Sequence, residues 1–101
     1  MSGTENDPST RELKPDEAEA LFRRVVKEGD VAFTGHAIEE LEKDNLHTTD
    51  CLNVLRGGRV VATELRHGKL RYRVTTKLMT AMVAVASETE VCVITAWRNE
   101  K

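Results

Sequence analysis

Apolar positions follow two rhythms along this chain. From Pro15 to about Glu28, Ala18, Leu21, Phe22 and Val25 recur at three- and four-residue spacing, which gathers them on one stripe of a helix. Pro15 suits the first turn, and Asp16, Glu17 and Glu19 complement the positive end of the helix dipole. Gly29 is placed to end it. A second helix is predicted from Gly35 to Lys43, capped by Thr34, with Ala37, Ile38 and Leu41 inward and Asn45 at its end. A third, capped by Thr48 or Thr49, carries Cys51, Leu52 and Leu55 and stops at Gly57-Gly58. Between the first two, Val31-Ala32-Phe33 reads as a short apolar link or a brief strand.

Beyond Arg59 the period becomes two. A strand runs from Arg59 to Arg66, and His67-Gly68-Lys69 reads as a hairpin turn. Leu70, Tyr72 and Val74 then alternate with Arg71, Arg73 and Thr75, the pattern of a strand with a buried face and a cationic one. Leu78 to Ala86 is apolar on both faces, as a central strand would be. Ser87 to Glu90 makes a turn, and Val91 to Ala96 a last strand. Helices followed by an antiparallel meander predict the α+β class, with two to three helices packed on three or four strands. Residues 1–13 are polar and aperiodic and are expected to form a flexible tail, leaving 14–101 as a single domain.

Composition adds limits. The chain has 101 residues, 40% of them hydrophobic and 32% charged, enough for one modest core. It has no long apolar run and no leader pattern, so a cytoplasmic location is expected, with no membrane partner. Cys51 and Cys92 do not make a disulfide framework, and both are expected in the core. His36, His47 and His67 lack metal-ligand spacing, and neither a metal nor a cofactor is implied.

Charge alters the picture more. Residues 1–50 hold 6 basic and 13 acidic side chains, whereas residues 51–101 hold 9 and 4. Between Arg56 and Lys77 there are seven Lys or Arg against one acid, Glu64. Such a cluster on a sheet suits a phosphate backbone, although cations on strand edges also discourage aggregation. Cleavage of RNA without metal needs a base for the 2′-hydroxyl, cations for the pentacovalent phosphorus and an acid for the leaving oxygen. His36, at a helix start where the dipole favours neutral imidazole, suits the base or acid role, or is simply an exposed helix-start residue. Arg71 and Arg73 share a strand face, Arg66, His67 and Lys69 lie at the adjoining turn, Lys77 at the other end, and Arg98 at the end of the last strand. Tyr72 and Trp97 are the aromatics available for stacking, with Tyr72 better placed in the core.

The segment Leu21 to Gly29, followed by Phe33-Thr34-Gly35-His36-Ala37, resembles the opening of small bacterial proteins in the toxin superfamily of RelE-like, BrnT-like and MqsR-like members. It is most similar to a widespread domain of unknown function in that group. Gly57-Gly58 before a strand, Arg71-Tyr72-Arg73-Val74 and Val93-Ile94-Thr95-Ala96 continue the resemblance in order, from about residue 21 to 98. It implies helices on one face of an antiparallel sheet and endoribonucleolytic cleavage of mRNA, neutralised by a cognate antitoxin. His36, Arg71 and Arg73 match polar positions of the pattern and become the candidate catalytic set. Arg66, His67, Lys69, Lys77 and Arg98 are candidates for RNA binding. The pattern departs at Glu40-Leu41, where such proteins often carry Arg-Met. An acid there favours a non-catalytic module that binds nucleic acid or a protein through the same sheet. A plain oligomerising domain, with its basic residues left in solvent, is the third expectation.

Overall fold

The structure, a computed structural model, describes residues 7–100. Three helices, α1 (Pro15–Glu28), α2 (Gly35–Lys43) and α3 (Thr48–Gly57), accompany five strands. These are β1 (Asp30–Phe33), β2 (Arg59–Arg66), β3 (Lys69–Thr75), β4 (Met79–Ser87) and β5 (Glu90–Arg98), ordered β1-β5-β4-β3-β2 across one sheet. The class is α+β, as the two rhythms predict. The sheet differs in detail: it has a fifth strand and is mixed. β2 to β5 form the antiparallel meander, but Val31-Ala32-Phe33 pairs parallel with β5, in register from Asp30 opposite Glu90 to Phe33 opposite Val93.

Local chemistry explains the helix boundaries. The Thr34 hydroxyl accepts from the Ala37 N–H at 3.0 Å and donates to the Ile94 carbonyl at 2.7 Å. One side chain therefore caps α2 and ties it to β5. α3 starts at Thr48 itself, earlier than a Thr48 or Thr49 cap would have it, and neither threonine caps it. The cap position is His47, whose backbone N–H is taken at 2.8 Å by the Asp50 carboxylate reaching back. α1 begins the same way, with the Lys14 N–H donating to Glu17 at 2.9 Å. That bond, helped by Arg11, holds the Glu17 carboxyl below its ordinary range. At Gly58 a Cβ would meet the Val54 carbonyl oxygen at 2.5 Å and the Thr75 carbonyl oxygen at 2.9 Å, so only glycine lets α3 turn so tightly into β2.

α1 and α3 pack on each other and on one face of the sheet, while α2 lies along β5. The core between the layers contains Phe22 and Tyr72, whose rings meet edge to face at a 6.0 Å centroid distance, with Val25, Leu41, Leu55 and Val74 around them. Leu13 joins this core at 4% exposure, and its N–H donates to the Tyr72 hydroxyl at 2.8 Å, so packing begins within the segment expected to be a tail. Residues 1–6 of that segment lie outside the described residues. Cys51 is buried as expected, but Cys92 is only partly covered and lies on the opposite face of the sheet. Among the described residues no helix is long and apolar enough to cross a membrane.

Candidate nucleic-acid interface

The face of the sheet away from α1 and α3 is built around β3. Alternation sends Leu70, Tyr72 and Val74 inward and Lys69, Arg71, Arg73 and Thr75 outward. At ~3.3 Å per residue, Lys69 to Arg73 covers roughly 13 Å of cationic strand. The two-residue turn that feeds it uses His67 at φ 52° and Gly68 at φ 76°, both in the left-handed region that a tight hairpin requires.

What flanks β3 on this face depends on two bulges. In β2, Val60 points into the core opposite Val74, and strict alternation would bring residues 62, 64 and 66 inward with it. The register instead slips by one between Val60 and Ala62. Ala62 then faces Arg73, Glu64 faces Arg71 and Arg66 faces Lys69, all outside. In β5, Val91 and Val93 are buried, so alternation would bury Trp97 and expose Arg98 to the face. A slip opposite Met82 and Val83 reverses this: Ala96 is buried, Trp97 stands on the outer face opposite Thr80, and Arg98, still exposed, turns to the helix side opposite Met79.

The resulting centre is Arg73. An Nη donates to Glu64 Oε2 at 3.1 Å, and the guanidinium carbon lies 6.0 Å from the centroid of the Trp97 ring. Its Nε is closed off from solvent and finds no acceptor among the described residues. Met82, opposite Arg73 and Thr95 in the register, is only 6% exposed although it belongs to the outer face. Beyond Trp97 the Thr75, Thr80 and Asn99 side chains form a hydrogen-bonded row, with Thr80 donating to Asn99 Oδ1 at 2.7 Å. Next to it an open hollow is lined by Asp44, Lys77, Trp97, Arg98, Asn99 and Glu100.

Of the candidate residues, four therefore share one face: Arg66, Lys69, Arg71 and Arg73. His67 sits at the hairpin tip beside them, and Lys77 is exposed in the connection at the far end of β3. Arg98 does not join them by way of the strand. Its Nε and Nη2 donate to the Asp44 carbonyl at 3.3 and 3.0 Å, closing the C-terminal end of α2. His36 is exposed at the first turn of α2, beside β5, so β4 and β5 separate it from β3. Among the described residues no hydrogen bond or ion pair links it to Arg71 or Arg73. Glu40, the residue of the departing pattern, pairs with Lys43 on α2 at 3.2 Å.

Sequence reasoning missed the Arg73–Trp97 contact and the Thr75–Thr80–Asn99 row. Trp97 was legible as a stacking candidate, but its partner depends on the β5 bulge, and Asn99 carries no local signal. Cys92, on the same face opposite Ala84, has its thiol pushed up by burial and then by Glu90, which leaves it a weak nucleophile. Among the described residues no group of three metal-ligating side chains comes together. No protein-family model, curated protein or solved structure matches the chain, so the face is interpreted from its own residues.

Proposed function

We propose that this protein binds single-stranded RNA across the outer face of its sheet. The observation that carries the reading is Arg73 held over Trp97, within a row of Arg66, Lys69 and Arg71 on the same face. Cations along a strand follow a phosphate backbone, and an indole beside them offers a surface on which a base can stack. Three of the four cations, Lys69, Arg71 and Arg73, lie on β3, an inner strand with partners on both sides, where edge protection against aggregation does not call for them.

The toxin-type reading adds metal-independent cleavage of mRNA. The residue that speaks for it is His36, an exposed imidazole at a helix start able to take or give a proton, on α2, whose buried Ala37 and Leu41 join the helix-side core. In that reading His36 serves as base or acid and Arg71 and Arg73 stabilise the phosphorane, with Lys69 and Lys77 as further phosphate contacts. An antitoxin would neutralise the protein by covering the same cations with acidic side chains.

Binding of a fluorescent single-stranded RNA, measured at increasing salt, tests the main reading. Four phosphate contacts give a slope of about −3 in log affinity against log salt. Arg71→Glu/Arg73→Glu is expected to abolish binding while leaving the fold intact; unchanged binding in that folded double variant refutes the proposal. Incubation with long RNA in EDTA separates the second reading. Cleavage that leaves 2′,3′-cyclic phosphate ends, and that His36→Ala removes without weakening binding, establishes a nuclease; intact RNA leaves the binding module.

A further inference from the structure

Arg73 has more hydrogen-bonding capacity than the fold uses. Its planar fork carries five N–H donors, yet the protein supplies one carboxylate oxygen, from Glu64, and leaves the enclosed Nε with no acceptor among the described residues. Buried donors are almost always satisfied, so this Nε calls for an acceptor from outside the chain, a water or a ligand. Glu64 is not positioned to complete the fork. It stands directly opposite Arg71 in the β2–β3 register, is brought to this face by the β2 bulge, and reaches Arg73 only along the diagonal, through Oε2 alone.

We infer that Glu64 is a resident stand-in for a phosphate group. In the free protein it holds the Arg73 guanidinium against Trp97; when RNA arrives, a phosphodiester displaces it. Two phosphate oxygens then take the Nε and Nη edge of the fork together, a bidentate fit that the diagonal carboxylate does not make. The displaced Glu64 lies opposite Arg71, which can receive it, so no anion is stranded on the face. This inference rests on the RNA reading above and adds the side chain that reads the phosphate and the contact it gives up.

The test compares binding of a short fluorescent oligouridylate to the wild type, Glu64→Gln, Glu90→Gln and Arg73→Lys. Glu90→Gln removes the same charge from the exposed start of β5 and controls for net charge. Freeing Arg73 from a partly exposed ion pair is expected to tighten binding about fivefold in Glu64→Gln, against less than about twofold in Glu90→Gln. Arg73→Lys keeps the charge but loses the fork, and is expected to weaken binding about tenfold. Binding by the wild type that Glu64→Gln tightens no more than Glu90→Gln overturns this inference alone. Binding by neither the wild type nor Glu64→Gln overturns the RNA reading and this inference with it.

Discussion

On the helix side of β3, Leu70, Tyr72 and Val74 pack into the core, and Tyr72 is fully enclosed with its hydroxyl bonded to the Leu13 N–H. One residue along at each step, Lys69, Arg71 and Arg73 face outward, and among the described residues they make a single ion pair, Arg73 with Glu64. The same strand thus holds the molecule together on one side and leaves donors unused on the other. Magnitudes sharpen the contrast. Burying a large aromatic is worth several kcal/mol, whereas a partly exposed ion pair is worth about 0–1 kcal/mol. Alternation along one strand therefore keeps stability and recognition on separate residues, so that either is open to change without the other.

The hardest test of that separation is Tyr72→Ala. It removes the ring that meets Phe22 and leaves the Leu13 N–H unpaired, and chemical denaturation is expected to show a loss of about 3–5 kcal/mol. A loss below about 1 kcal/mol contradicts this packing.

A second test acts on the core side through pH. Burial, with a smaller contribution from Asp50, pushes the Cys51 thiol up from 9.0 to about 12. Below pH 9 the thiol is protonated in both folded and unfolded chains, and its contribution is complete. As pH rises toward 12 the unfolded chain releases its proton first, so stability falls. Denaturation midpoints measured from pH 8 to 11 are expected to decline in the wild type and to decline less in Cys51→Ala.

The outer side gives the smallest change. Arg71→Ala/Arg73→Ala is expected to shift unfolding free energy by no more than about 1 kcal/mol, since it removes one partly exposed ion pair and the guanidinium over Trp97. The same variant should bind RNA poorly. A large loss of stability there would show that the cations serve the fold and not a ligand.

The legible parts of this protein were those decided by near neighbours. The stripe of Ala18, Leu21, Phe22 and Val25, the Thr34 cap, the His67-Gly68 turn and the alternation from Lys69 to Thr75 each depend on residues a few positions apart. The parallel pairing of β1 with β5 does not, because it joins Asp30 to Glu90 across the whole meander. Four residues carry too little pattern to announce a partner so distant. Leu13 is hard to read for a similar reason: an isolated apolar residue in a polar lead gives no periodicity, and its place in the core goes with a bond from its N–H to the hydroxyl of Tyr72, 59 positions away. The cationic stripe of β3 was legible in full. Arg66 and Trp97 were legible as candidates but the face they share with it was not, since counting by twos carries Glu64, Arg66 and Trp97 to the core and Arg98 to the face.

Those two slips of register act like punctuation in a text read two letters at a time. One residue taken in at Val61 changes the phase of everything that follows it in β2, and the slip near Ile94 does the same for the end of β5. Both strands keep their inner halves in phase with the core, so the change costs the fold little while it replaces the outer vocabulary of half a strand. Substitution edits this face one side chain at a time. Flattening either bulge, with its extra residue drawn into strict alternation, would rewrite it wholesale, exchanging Trp97 for Arg98 in one case and withdrawing Glu64 and Arg66 in the other.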